Sequence, residues 1–224
     1  MNSLISLSGG LDSCVLLSLL IEQKAKIKCI TFKYGSKHEA YEINAAKKIA
    51  YYYGLAITIV DLTSIIADHF RSNLLIGQGQ IPEGHYQQKD MALTIVPARN
   101  ILFLATLTGI AQTEGHDTLA IGVHQGDHYI YPDCRPDFIH AMEQACCLGS
   151  GNVIKTIYTP LLHLSKAEIV KHGVRLRSPF HLTRTCYKEQ EFACGKCGSC
   201  NERLEAFRLN NIEDPIQYEV DNDK

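Results

Sequence analysis

Strand-like and helix-like runs alternate along most of this chain, and that alternation leaves few folds open. Residues 4–7 read as a short strand, and the run from Cys14 through Leu20-Ile21 has helical length. "IKCITF" (Ile27 to Phe32) is rich in β-formers. Glu39 to Tyr52 then sets Ile43, Ala46, Ile49 and Ala50 at helical spacing, with Gly54 placed to close the helix in a left-handed turn. Ala56 to Val60, Thr118 to Val123 and Val153 to Tyr158 are further strand candidates. Asn100 to Ala111, apolar almost all round, predicts a buried helix, and Asp137 to Leu148 predicts another. Ser165 to Lys171 predicts a short helix, opened by a capping box of Ser165 and Glu168. Strands that alternate with helices in this way predict an α/β fold, a doubly wound and mostly parallel sheet with helices on both faces.

Thr183 marks a change to polar, cysteine-rich sequence, so the expected organisation is an α/β domain over residues 1–182 and a small appendage with a C-terminal helix over 183–224. The stretch from Ser72 to Asp90 holds three glycines and one proline. It is long for a loop inside a compact domain, which marks it as a functional segment or mobile lid. A formal net charge of -2 gives no basic footprint for duplex nucleic acid and favours a small-molecule substrate. The longest apolar runs, such as Ile101 to Leu107, fall short of the ~20 residues of a membrane span. The N-terminus lacks a basic start followed by an apolar stretch, so the expectation is a cytoplasmic protein that does not engage a membrane. Nine cysteines, an odd number, in such a chain argue against a disulfide framework and direct attention to metal ligands.

One candidate site lies where the first strand turns into the first helix, in "LISLSGGLDSCVLL" (residues 4 to 17). Ligands of open parallel sheets bind beyond the carboxyl ends of the strands. Ser8-Gly9-Gly10 lets the backbone approach an anion, and the helix start, placed at Ser13, adds unpaired N–H groups and a partial positive charge. This is a pyrophosphate cradle, although a tight turn capped by Asp12 or Ser13 is the plainer alternative. It is neither G-x-x-x-x-G-K-[ST] nor G-x-G-x-x-G. A carboxylate beside polyphosphate needs a cation between them, or else it orients a neighbouring donor. Mg²⁺ is the expected cation at Asp12.

The second candidate is "CYKEQEFACGKCGSC", which gathers Cys186, Cys194, Cys197 and Cys200. The C-x-x-C spacing brings thiolates to one metal, and four of them close a tetrahedral Zn²⁺ site with no open position, hence a structural one. An iron–sulfur cluster is the alternative for the same ligands. Cys14, Cys29, Cys146 and Cys147 read as small apolar residues.

The S-G-G-x-D-S pattern resembles the PP-loop ATP pyrophosphatase superfamily. With the cysteine motif, it narrows to a resemblance to the 7-cyano-7-deazaguanine synthase family. "TFKYGSKH" (Thr31 to His38), "VPARN" (Val96 to Asn100), "YPDCR" (Tyr131 to Arg135), "TPLLHLSKAE" and "TCY…CGKCGSC" extend the likeness through nearly the whole chain. The resemblance implies a Rossmann-like fold of the adenine-nucleotide alpha hydrolase kind. It also implies ATP-dependent conversion of 7-carboxy-7-deazaguanine and ammonia, through an acyl-adenylate and an amide, to the nitrile precursor of queuosine. A homodimer is further implied.

Carried onto this chain, Leu7, Ser8, Gly9, Gly10, Leu11, Asp12, Ser13, Cys14, Val15, Leu16 and Leu17 form the ATP-binding stretch. Asp12, Ser13, Arg99 and Asp133 are the expected catalytic residues. Lys37, His38, Arg99, Asn100, Asp127, Tyr131, Asp133 and Arg135 are the expected contacts to the deazapurine. The bidentate fork of Arg99 suits a phosphate or carboxylate, and Asp133 suits a guanine-like N1–H and amino group. The plainer alternatives are a core ion pair for Arg99, a cap on the following helix for Asp133, packing for Tyr131 and a structural role for Cys134.

The chain departs from the family pattern on the substrate side. Gln125 replaces an acidic residue, Tyr129-Ile130 replaces Ser-Gly, Ala98 replaces the glycine of V-P-G-R-N, and Lys37 replaces arginine. An altered acceptor, with a deazaguanine joined to a protein or nucleic acid, is therefore a second reading. A tRNA-thiolating enzyme and a non-catalytic zinc-stabilised nucleotide-binding module are others.

Overall fold

A computed structural model describes residues 1–84, 89–124, 126 and 130–219. Among these residues five strands form one sheet: β1 (Asn2–Ser6), β2 (Lys26–Lys33), β3 (Ile57–Asp61), β4 (Thr118–Ala120) and β5 (Thr156–Tyr158). Their order is β3-β2-β1-β4-β5, and every pairing is parallel. Among the described residues seven α-helices accompany them: α1 (Leu11–Glu22), α2 (Glu39–Tyr52), α3 (Thr63–His69), α4 (Arg99–Glu114), α5 (Pro136–Gly149), α6 (Lys166–Arg175) and α7 (Gly198–Leu209).

Alternation along β1 splits the core in two, as a buried parallel strand requires. Leu4 packs with Ile30, Leu104, Leu107 and Leu119 on one face, while Ile5 and Leu7 pack with Leu16, Leu17, Ile49 and Val170 on the other. From the tail, Ala206 and Phe207 of α7 join this second cluster.

Several boundaries differ from the sequence expectation. α1 begins at Leu11, with Gly10 as its N-cap and no side chain capping it, so neither Asp12 nor Ser13 serves as a cap. β4 and β5 are shorter than their apolar runs because ladder pairing ends at Ala120 and begins at Thr156. α3 was not expected; its seven residues bury only Ile66 and give little periodic signal. α4 is not buried all round: Phe103, Leu104, Leu107 and Ala111 face the core, whereas Ile101 is 43% exposed. By composition, Asp90–Glu114 is long and apolar enough to cross a bilayer. It is broken, however, by a 3₁₀ turn at Lys89–Thr94, by Pro97 and by left-handed Ala98 before α4 starts. Gly54 has φ 67°, and α6 carries the full Ser165–Glu168 capping box, both as expected.

The described part of the 72–90 stretch is tied at both ends. The Lys37 and Ile76 N–H groups bond to Leu74 O and Gly35 O, and Gly84 N–H bonds to Lys196 O. The segment thus links the loop after β2 to the cysteine-rich tail.

Candidate active site and metal centre

Strand order reverses direction between β1 and β4, and a doubly wound sheet opens a crevice at such a point. A cavity lies there, beyond the carboxyl ends of β1, β2 and β4, walled by Ser8, Asp12, Thr31 and Gly122 among others. Two glycines let its elements close up. Gly9, at φ 86°, lies against α2, where a β-carbon would collide with the Glu42 carbonyl and approach Ala46 N to 2.7 Å. A β-carbon on Gly122 would come within 3.1 Å of Ser13 N. The loop is knit by its own hydroxyls: Ser13 Oγ donates to Gly10 O at 3.0 Å, and Gly10 N donates to Ser8 Oγ at 3.2 Å. The uncapped first turn of α1 presents its N–H groups to the cavity mouth, an arrangement suited to an anion.

Asp12 already has a cation. Lys166 Nζ lies 2.9 and 2.7 Å from its two carboxylate oxygens, and His124 Nε2 lies 3.9 Å away. Burial alone would raise the Asp12 pKa, but Lys166 and then His124 outweigh it and hold the carboxyl below its usual value. Lys166 also meets Glu202 at 3.3 Å. Neither Lys166 nor Glu202 was singled out from sequence. A signal existed for Lys166, because a lysine in the first turn of a helix opposes the macrodipole and calls for another reason to be there. Arg184, also not singled out, reaches the cavity wall and lays its guanidinium 4.6 Å from the centre of the Tyr41 ring.

Of the expected substrate residues, His38, Arg99 and Asn100 line this cavity, as does Cys134. His38 is buried, with Nε2 3.4 Å from Glu42 and its ring 5.3 Å from that of Tyr187. Arg99 opens α4 and lies 6.0 Å over the Tyr131 ring. Burial would loosen the Arg99 proton, but the neighbouring Tyr34 and Asp133 more than compensate and keep the guanidinium charged. Tyr131 is buried, and its hydroxyl lies 2.9 Å from Thr94 Oγ1. Asp133 Oδ2 accepts from Asn100 N at 2.9 Å, so it caps α4 rather than the helix that follows it. Asn100 Nδ2 returns a bond to Asp133 O at 2.9 Å and meets Cys134 Sγ at 3.2 Å. Lys37 points elsewhere, donating to the carbonyls of Gln78 and Gly79. Arg135 is exposed at the start of α5. Asp127, Gln125 and Tyr129 lie outside the described residues.

Cys186, Cys194, Cys197 and Cys200 are buried together, their sulfurs all within 4.8 Å of one another. Tetrahedral Zn–S bonds of about 2.3 Å need sulfurs roughly 3.8 Å apart, and Cys194 and Cys200 stand at 3.9 Å. Backbone N–H groups of Lys188 and Cys194 point at Cys186 Sγ, and those of Lys196 and Cys197 point at Cys194 Sγ, at 3.3–3.4 Å. Such donors stabilise thiolates, so the cluster fits a closed metal site. By contrast, burial pushes the Cys14 and Cys29 thiols up to about 12, as expected of apolar packing.

Residues 2–211 match the family described as queuosine biosynthesis protein QueC. Relatives called 7-cyano-7-deazaguanine synthase are similar over almost the full length. That of Methanoregula boonei is 42% identical, covering 98% of this chain and 100% of the relative. That of Rhizobium rhizogenes is 40% identical over 98% and 92%, and that of Pseudoalteromonas atlantica is 38% identical over 95% and 96%. Among solved structures, the NMN synthetase of Francisella tularensis superposes with a TM-score of 0.54 at 14% identity, covering 95% of this chain and 78% of that one. A predicted tRNA methyltransferase subunit of Methanocaldococcus jannaschii gives 0.50 at 16% over 99% and 94%; both likenesses concern the fold alone. The glycine-serine loop, the four-sulfur cluster and the full-length relatives agree: the chain belongs to the QueC family.

Proposed function

We propose that the chain catalyses ATP-dependent conversion of 7-carboxy-7-deazaguanine and ammonia to 7-cyano-7-deazaguanine, the product that its relatives' names give. The observation that carries it is the cavity between β1 and β4, where the open start of α1 and the Lys166 ammonium surround one first-turn aspartate, Asp12. A carboxylate resists attack because its leaving group would be oxide. Transfer of AMP from ATP to the acid oxygen releases pyrophosphate and supplies AMP as leaving group. Ammonia then forms the amide and loses a proton. A second AMP transfer to the amide oxygen lets that oxygen depart with AMP as the nitrogen loses its protons and the nitrile forms.

In this reading Ser8, Gly9, Gly10 and Ser13 cradle the phosphates and Lys166 stabilises charge developing on them. Arg99 meets the substrate carboxylate or a phosphate. Asp12 and Glu202 share one ammonium, and this excess of carboxylate beside a polyphosphate cradle fits Mg²⁺ arriving with ATP. Mg²⁺ bound there would neutralise phosphate charge. Zn²⁺ on the four cysteines would pin the tail, and a homodimer is the expected assembly.

Mass spectrometry of products from the carboxylate, ATP, Mg²⁺ and ammonium tests the reading. Nitrile with two AMP and two pyrophosphate per turnover is expected. ATP consumption without nitrile would instead support an altered acceptor, and the absence of pyrophosphate with any deazaguanine carboxylate would overturn adenylation. Colourless, zinc-containing protein from anaerobic purification is expected, and visible absorption would assign the cysteines to an iron–sulfur cluster.

A further inference from the structure

Helix α7 serves two sites at once. Its N-cap Cys197 and first-turn Cys200 supply two of the four clustered sulfurs. Ser199 and Glu202, also three residues apart and hence on a shared face, line the cavity instead. Glu202 is 16% exposed and lies 3.3 Å from Lys166 Nζ, the same ammonium that meets Asp12.

The anchors of α7 are unequal along its length. Its N-terminus has no side-chain cap. Besides the sulfurs, its first turn is held by a bridge between Glu83 and Cys197, by a Ser199–Tyr187 hydrogen bond, and by Asn201 Nδ2, which donates to Gly84 O at 2.7 Å and Lys196 O at 3.1 Å. From Arg203 onward the helix is locked. That side chain is fully buried, pairs with Asp214 at 2.6 and 2.8 Å, and donates to Thr183 and Thr185. Glu202 stands at the junction of the two regimes. Without a metal the four sulfurs revert to thiols, and the bonds through which an ion would tie Cys197 and Cys200 to Cys186 and Cys194 are lost. Loosening of the first turn therefore moves Ser199 and Glu202 before it moves anything deeper.

We infer that Glu202 is a positioning residue that fixes the Lys166 ammonium opposite Asp12, and that α7 thereby couples metal occupancy of the four-cysteine site to ATP binding. The inference rests on the ATP reading above. Coupling of two binding events is reciprocal, so ATP must strengthen metal binding by the factor by which the metal strengthens ATP binding.

The test is the zinc affinity of protein reconstituted with Zn²⁺, measured by competition with a chromogenic chelator. It is run with and without ATP saturated by Mg²⁺, with the acid substrate omitted. About a tenfold gain with ATP is expected for the unaltered protein, and less than twofold for Glu202→Gln at an ATP concentration that calorimetry shows to be saturating for that variant. Glu202→Asp, which keeps the charge with a shorter reach, should fall between them, as a purely structural role would not require. Equal gains in the unaltered protein and Glu202→Gln overturn the coupling. So does the absence of a gain in unaltered protein that binds ATP, while leaving the ATP reading intact. Protein that binds no ATP at all refutes both.

Discussion

Lys166 and Asp12 are 154 residues apart in the chain, yet the Lys166 ammonium holds both oxygens of the Asp12 carboxylate, at 2.9 and 2.7 Å. The pair joins the first turn of α6 to the first turn of α1, on the rim of the cavity. Removing Lys166 therefore does two things. It takes away the cation that the proposed function sets against phosphate charge, and it leaves a largely buried carboxylate without its nearest partner. Lys166→Met is expected to lower pyrophosphate release about 10²–10³-fold and to cost about 1–2 kcal/mol of stability. Because the second effect depends on Asp12 remaining charged, the double variant Asp12→Asn/Lys166→Met should be less destabilised than the sum of the singles. Additive unfolding free energies would show that the two side chains do not interact.

The same pair sets a pH dependence. The folded-state pKa of Asp12 is held below its ordinary value of 3.8. Its contribution to stability is thus complete above that value and is lost as pH falls through the lower native pKa. Melting temperatures between pH 6 and pH 2.5 should fall less steeply for Asp12→Asn than for the unaltered protein. An unchanged acid slope would place the carboxylate out of reach of Lys166 in solution.

What the sequence disclosed follows from how local each feature is. The run Glu39–Tyr52 forms a helix with those bounds because its period is written in consecutive residues. Three of the four cysteines meet because C-x-x-C spacing brings Cys194, Cys197 and Cys200 together, and Cys186, eight residues upstream, joins them across a short loop. Glu202 and Arg184 left no such trace, since each reaches the cavity through the packing of the tail on the sheet. Asp133 shows the limit most directly. Its place before α5 suggested a cap on that helix, whereas the bond it makes is to α4, 33 residues earlier, and only the packing of the two helices could reveal it.

Ala98 stands where the family resemblance leads one to expect glycine, and its backbone shows the consequence. It sits at φ 51° and ψ 24°, left-handed, as the residue that leads into Arg99 and α4. A β-carbon in that conformation costs about 1 kcal/mol or somewhat more. Glycine would relieve the strain, while returning part of the gain through a freer unfolded chain. Ala98→Gly should stabilise the protein by about 0.5 kcal/mol, a rise of roughly 1–2 °C in Tm. Ala98→Val, stiffer at the same angles, should destabilise it. Calorimetric melting of the two variants checks both signs, and a drop in Tm with glycine would mean the left-handed turn carries no strain.

Asp133 caps α4, and a contact to the deazapurine, expected from the family resemblance, is a separate role to test. The cap uses Oδ2 alone and needs an acceptor rather than a charge. Asparagine supplies that acceptor and alanine does not, so Asp133→Ala should lose about 1 kcal/mol of stability while Asp133→Asn loses little. Recognition of a guanine-like N1–H and amino group would need the full carboxylate, because two donors face it. With Oδ2 already spent on the Asn100 N–H, the expected result is that Asp133→Asn keeps kcat/KM within a few-fold while holding its Tm. A fall of a hundredfold or more in kcat/KM at unchanged Tm would show that the remaining oxygen binds the substrate. Asp133 would then have to leave α4 or serve both partners when the deazapurine arrives.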